Sequence, residues 1–167
     1  MSRRPVVAVL AVLVVAAGAG LYLFQPWKAF TDTTVTEALP SAPAAAPGQD
    51  TGPRRLAEGK FVTHEHGTSG MALAVRLANG DRLLRLEDLS TSDGPDLRVY
   101  LSRRSADAVR EGLGKGAVDL GKLKGNLGDQ NYTVPADTDV SGFRSAVIWC
   151  KRFSVSFGAA DLTPGKG

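Results

Sequence analysis

Hydrophobic and polar residues divide this chain into three successive stretches. From Val6 to Phe24 the sequence is almost wholly apolar and carries no charged residue. Residues 40–55 follow, rich in proline, alanine and glycine and without periodicity. From about Leu56 onward, short apolar or alternating runs are separated by turn residues, which is typical of β-strands. The pattern therefore predicts an apolar helix, a linker and a β-rich domain.

The first stretch predicts a transmembrane helix over residues 6–24. As a helix, its roughly 19 positions extend about 28 Å, close to the hydrocarbon thickness of a bilayer. Gln25 and Pro26 follow directly, and proline cannot continue a helix. We therefore expect residues 1–5 to form a short tail on one side of the membrane and the rest of the chain to lie on the other.

The flanking charges predict the orientation of this helix. Arg3 and Arg4 outweigh the single Lys28, which favours a cytoplasmic N-terminus and an extracytoplasmic C-terminal domain in a single-pass protein of the cell membrane. A cleaved signal peptide is the alternative, because residues 17–19 form an acceptable small-residue cleavage site. The apolar run continues past that site through residues 21–24, which favours an uncleaved anchor.

Beyond the anchor, we assign residues 25–55 to an extracytoplasmic linker, residues 56–162 to one β-rich domain and residues 163–167 to a tail. The predicted fold class is all-β, a small β-sandwich or flattened barrel with one short helix. Seven strands are predicted, at residues 60–66, 71–77, 82–89, 97–101, 131–134, 146–150 and 153–157.

Turn chemistry completes this outline. Asn79-Gly80 predicts a hairpin between the second and third of these strands. Residues 105–112 predict the short helix, with a serine at its start and a glycine at its end. Residues 121–129 contain three glycines and predict a loop.

Composition excludes several functions. The net charge is only +3, and no basic run is interleaved with aromatic residues, so we expect no nucleic-acid partner. One cysteine cannot form an intrachain disulfide. No serine lies in a nucleophile-elbow pattern, and we find no hydrolase or transferase motif.

That cysteine, Cys150, is the leading candidate for chemistry. It ends an apolar run, on the opposite face of the predicted strand from Trp149 and on the same face as Ile148 and Arg152. Outside the cytoplasm a free thiol is exposed to oxidation, and a nearby cation lowers a thiol pKa. The alternative interpretation is that Cys150 is a small apolar residue of the core.

His64 and His66 form a second, weaker candidate. At positions i and i+2 of a strand they would share a face, the spacing at which two imidazoles can bind one metal. Cys150 could supply a third ligand of the kind that copper or zinc favours. The alternative is a solvated strand end followed by the Gly-Thr-Ser-Gly turn of residues 67–70.

Several blocks, in order, resemble a known family. They include Gly94-Pro95-Asp96-Leu97, and the full series lies at residues 59–61, 66–72, 94–101, 119–132, 147–150 and 153–162. Together they resemble the DM thirteen (DM-13) domain, a small extracytoplasmic module often found beside DOMON domains. The layout with an N-terminal anchor is similar to that of actinobacterial members.

The resemblance implies a β-rich domain with a role in electron transfer or redox chemistry, working with a redox partner protein. It implies that Cys150 is the hallmark cysteine, either as a bare thiol or within a prosthetic-group site, for which haem or copper is possible. The competing hypothesis is a non-enzymatic interaction or adhesion module of the envelope, in which Cys150 is buried and inert.

Overall fold

The computed structural model describes residues 3–40 and 52–165. It begins with one α-helix, α1 (Arg3–Phe24), which is long and apolar enough to cross a membrane; an N-terminal signal sequence meets the same criterion. Gln25 has a positive φ of 43°, and Pro26 opens a 3-10 helix (Pro26–Phe30), so the helix ends where predicted. Most of the proline-, alanine- and glycine-rich stretch predicted as a linker, at residues 41–51, lies outside the described residues.

Within the described ranges the rest of the chain is mostly β-structure, as predicted. Its ten strands are β1 (Thr34–Thr36), β2 (Arg54–Thr63), β3 (Ser69–Arg76), β4 (Arg82–Ser90), β5 (Leu97–Ser102), β6 (Val118–Lys122), β7 (Leu127–Val134), β8 (Ser145–Cys150), β9 (Val155–Asp161) and β10 (Thr163–Pro164).

These strands form one continuous sheet that curls into a half-barrel. The order is β1-β7-β4-β3-β2-β9-β8-β5-β6, with β10 paired to β2 beside this path. Strand β2 joins the two halves, because its first part pairs with β3 and its last three residues pair with β9. The flattened-barrel alternative is thus closer to the fold than two separate sheets are.

The concave side of the half-barrel holds the main core. Alternate residues of the strands point inward, among them Leu84, Leu86, Val99 and Ile148, all fully buried. A second cluster lies on the outer side of β5, β8 and β9. A single-turn 3-10 helix (Ala108–Glu111) contributes Val109 to it. This helix is the predicted one, shorter and in 3-10 form, and Gly112 ends it with a φ of 124°.

Several predicted boundaries were wrong. Residues 121–129 were predicted as a loop, but Gly121 lies in β6 and Gly128 in β7, where both keep positive φ angles. Strand β9 begins at Val155 and not at Phe153. Three strands were missed: β6, β1, which was placed in the linker, and β10, which was placed in the tail. The predicted Asn-Gly hairpin is present, with the Leu77 N–H donating to the Asp81 carbonyl at 2.8 Å.

Candidate functional site at the end of strand β8

Cys150 is the last residue of β8 and is fully buried. It lies between Leu97 of β5 and Val155 of β9 in the register of the sheet. Every residue of β8 is buried, so this strand is covered on both faces, as its unbroken apolar sequence predicts. The thiol therefore lies in an apolar environment inside the main core, which also contains Phe157.

The two faces of β8 divide its side chains as predicted. Ile148 and Cys150 belong to the inner core, whereas Trp149 belongs to the outer cluster with Tyr100. The Tyr100 hydroxyl donates to the Asp119 carboxylate at 2.9 Å. Burial, with Asp119 nearby, raises the pKa of Tyr100 to about 12, so this phenol stays protonated at neutral pH.

Arg152 does not lie beside Cys150, contrary to the prediction from strand alternation. The strand ends at Cys150, and residues 151–154 form a turn in which Ser154 has a φ of 54°. The Arg152 guanidinium points towards α1 and donates to the carbonyl of Leu23. Alternation holds only while the chain stays extended, and here the strand stops at the residue that carries the thiol.

This turn brings the Cys150 end of the half-barrel against the end of the apolar helix. The Phe153 and Phe24 rings stack with centroids 5.9 Å apart. Nearby, the Lys28 ammonium lies 3.6 Å from the Asp93 carboxylate and donates to the carbonyl of Gly94 at 3.3 Å. Cys150 is thus only two residues along the chain from Arg152, which contacts α1.

His64 and His66 were predicted to lie on a strand, but β2 ends at Thr63 and both residues follow it. The Nδ1 atom of His64 is 2.7 Å from the Ser156 hydroxyl, and its Nε2 atom is buried without a hydrogen-bond partner among the described residues. Burial, together with the positive charge of Arg110, lowers the pKa of His64. This imidazole is therefore held neutral at physiological pH.

The predicted His-His-Cys ligand set is not assembled. The His66 ring packs on Phe157 at a centroid distance of 3.9 Å, while His64 turns to Ser156. Within residues 3–40 and 52–165, no group of three His, Cys, Asp or Glu side chains could hold a metal ion. Apolar side chains enclose Cys150 completely, which leaves no space for a haem beside its sulfur. The residues around Cys150 therefore fit neither copper nor haem.

The strand that follows the helix, β1, was not predicted from the sequence. β1 pairs in parallel with β7, with Val35 opposite Gly128. A Cβ atom on Gly128 would lie 2.1 Å from the Val35 carbonyl oxygen, so only glycine allows this approach. Val35 lies between two threonines, and a run of three β-branched residues favours a strand. This run was the only feature of the sequence that indicated β1.

Polar side chains hold this segment on the domain. The Asn126 amide accepts from the Thr33 N–H at 2.7 Å and donates to the Asp32 carboxylate at 2.7 Å. The Lys124 ammonium donates to the Glu37 carboxylate at 2.7 Å, which lowers the pKa of Glu37. The segment between the helix and residue 38 is therefore part of the folded domain.

Comparison with known families identifies the family of this chain. The family model described as "Electron transfer DM13" matches residues 60–162, more than half of the chain. No curated protein and no solved structure matches the chain. The matched range contains the half-barrel from the second half of β2 to the end of β9, with Cys150 inside it. The chain therefore belongs to the electron-transfer DM13 family.

Proposed function

We propose that this chain is a membrane-tethered, extracytoplasmic electron-transfer domain of the actinobacterial type, and that the sulfur of Cys150 is its redox centre. Membership of an electron-transfer family supports the redox role. The apolar helix α1, with Arg3 and Arg4 at its start, supports the tether and its orientation. His64 and His66 have no role in this proposal, because their rings have different partners and the described residues contain no group of three metal-ligating side chains.

One observation carries the proposal: Cys150 lies at the end of the half-barrel that contacts α1. Residues 151–154 begin directly after the thiol, are exposed and touch the last turn of the helix. An electron leaving the sulfur would therefore have a short path to a partner protein at the membrane surface. A partner in that plane would meet this end of the domain first.

Burial restricts the kind of redox chemistry. Thiol–disulfide exchange requires direct attack by or on the sulfur, and a fully buried sulfur cannot be attacked in the folded state. Electron transfer needs no such contact. We infer that the Cys150 thiol gives one electron to a one-electron acceptor on the partner protein and its proton to water at the exposed turn of residues 151–154, which leaves a thiyl radical at the sulfur.

The test is electrochemistry of the full chain in lipid nanodiscs. We expect Cys150→Ser to lose the redox signal while the fold is kept. Ile148→Val is the matched control, because Ile148 lies on the same face of the same strand and shortening it disturbs the core without removing the sulfur. An unchanged signal in Cys150→Ser would refute the redox role of this thiol.

The second candidate is an interaction module in which Cys150 is inert. The complete burial of the thiol among apolar side chains favours it. In that case Cys150→Ser changes only stability, by about 1–3 kcal/mol, since a buried hydroxyl without a partner is costly. Both the parent chain and Ile148→Val would then give no redox signal under the same conditions.

A further inference from the structure

Three arginines from three neighbouring strands lie side by side at the end of the half-barrel away from Cys150. Arg54 of β2 is opposite Arg76 of β3, and Arg76 is opposite Arg82 of β4. Like charges directly opposite each other destabilise a sheet. This row therefore has a cost for folding, which suggests that it serves a function.

All three arginines belong to the inner face of the sheet. Residues that are directly opposite share a face, and positions two apart on a strand share it as well. Arg82 is two positions from Leu84 and Arg76 two positions from Ala74; Leu84 is fully buried in the inner core. The next residue of β2, Arg55, faces outward and pairs with Glu58 at 2.7 Å. The arginine row is thus a cationic rim on the concave side.

An apolar cavity opens beside this rim. Its volume is about 420 Å³, within the range of small-molecule sites. Apart from Arg82 and Ser141, its lining is apolar and includes Leu56, Ala57, Ala74, Leu84, Leu101 and Phe143. Of the three arginines only Arg82 lines the cavity, and Arg76 and Arg54 continue the row away from it on the neighbouring strands. Cations beside an apolar cavity match a ligand with an anionic head and a hydrocarbon body.

The rim still has hydrogen-bonding capacity for such a head group. In the described part of the chain, Arg54 and Arg76 are exposed and form no ion pair, and Arg82 donates one bond, to the Ala136 carbonyl at 2.6 Å. Asp139 also lies near this end, and its carboxylate accepts two hydrogen bonds from Ser141. Planar guanidinium groups bind carboxylates and phosphates through paired hydrogen bonds.

We propose that this cavity binds an anionic amphiphile, with its carboxylate or phosphate on the row Arg54–Arg76–Arg82 and its hydrocarbon chain among the apolar lining residues. The site is separate from Cys150. Leu97, the partner of Cys150 on β5, is four positions from Leu101 of the cavity, about 13 Å along an extended strand. The proposal therefore stands or falls independently of the redox role.

The test uses the full chain in nanodiscs of zwitterionic phosphatidylcholine and a photoactivatable decanoate with a diazirine on its hydrocarbon chain. After irradiation, labelled residues are mapped by mass spectrometry. We expect labels on cavity residues such as Leu101 and Phe143. Decanoate and decyl phosphate should compete, and the stronger competitor identifies the head group. Decanol and decyltrimethylammonium should not compete.

Four variants separate the rim from the cavity. Arg54→Gln and Arg76→Gln should each weaken binding about two- to fivefold, the effect of one partly exposed ion pair. Lys60→Gln is the control, since Lys60 is an exposed cation on β2 about 20 Å from Arg54, and it should bind as the parent chain does. Ala74→Leu fills the cavity and should abolish labelling, with Ala57→Leu as its substitute if that variant fails to fold.

Three results would overturn the proposal. Labels confined to residues 6–24 would mean that the probe reaches only the membrane helix. Equal competition by decanol would mean that the arginines do not select for an anionic head group. Equal binding by Arg76→Gln, Arg54→Gln and Lys60→Gln, in chains that unfold at the same temperature as the parent, would remove the rim from the site.

Discussion

Replacement of Gly128 by alanine tests whether the strand that follows the helix is part of the domain. Gly128 has a φ of 92°, and a Cβ atom there would lie 2.1 Å from the Val35 carbonyl oxygen. Gly121 is a matched control, because it has a φ of 120° but nothing within 4 Å of its Cβ position. Alanine at either position adds backbone strain of about 1–3 kcal/mol. Only alanine at position 128 collides with β1.

The additional cost at Gly128 follows from the bonds that β1 would lose. Among them are the Leu127 N–H to the Thr33 carbonyl at 3.2 Å and the Glu37 N–H to the Asp129 carbonyl at 3.0 Å. At about 1 kcal/mol for each net hydrogen bond, and with some backbone freedom regained by the released strand, we expect Gly128→Ala to be about 1–3 kcal/mol less stable than Gly121→Ala.

Two measurements on the full chain in detergent micelles check this expectation. Denaturant unfolding gives the difference in unfolding free energy between the two variants. Hydrogen–deuterium exchange of residues 33–38 should become fast in Gly128→Ala and stay slow in Gly121→Ala. Equal stability together with slow exchange of residues 33–38 in both variants would refute the docking of β1.

Two further predictions concern the same segment. The pKa of Glu37 is lowered in the folded state, first by its hydrogen bond from Lys124, so the stabilisation it provides is present above its unfolded pKa and is lost as the pH falls through the folded value. The difference in unfolding free energy between the parent chain and Glu37→Gln should therefore shrink from pH 7 to pH 3; a constant difference would contradict it. Asn126→Ala should cost about 1–3 kcal/mol, because it leaves the buried Thr91 carbonyl and the Thr33 N–H without their partner, and an unchanged unfolding midpoint would count against that role.

Much of the fold could be predicted because local pattern and environment agree there. The unbroken apolar run before Cys150 indicated a strand buried on both sides, and β8 is one. Asn79-Gly80 indicated a hairpin, and β3 and β4 form it. In each case the periodicity or turn chemistry of a few consecutive residues is sufficient.

The errors arose where long-range contacts decide the structure. β1 is three residues long and exists because Gly128, more than 90 positions away, allows it to approach. Glycines also concealed the end of β6 and the start of β7, since Gly121 and Gly128 lie in strands with positive φ. The sequence alone does not indicate that β1 pairs with β7 or that β6 pairs with β5.

In the candidate sites too, features set by local sequence could be predicted and features set by long-range contacts could not. The opposite facing of Cys150 and Trp149 followed from alternation. The separation of His64 from His66 did not, because β2 ends at Thr63 and the two rings then find different partners. The row of Arg54, Arg76 and Arg82 depends on the register of three strands, which composition does not reveal.

In the proposed membrane-tethered arrangement, the position of β1 determines which residues set the distance between the domain and the bilayer. The chain enters the sheet at Thr34, only ten positions after α1 ends at Phe24, and the proline- and alanine-rich residues come later, between two strands of the same domain. Shortening or lengthening those residues would therefore change a connection within the domain and leave its distance from the lipid unchanged. Insertions between Phe24 and Thr34 would instead move the Cys150 end away from the membrane.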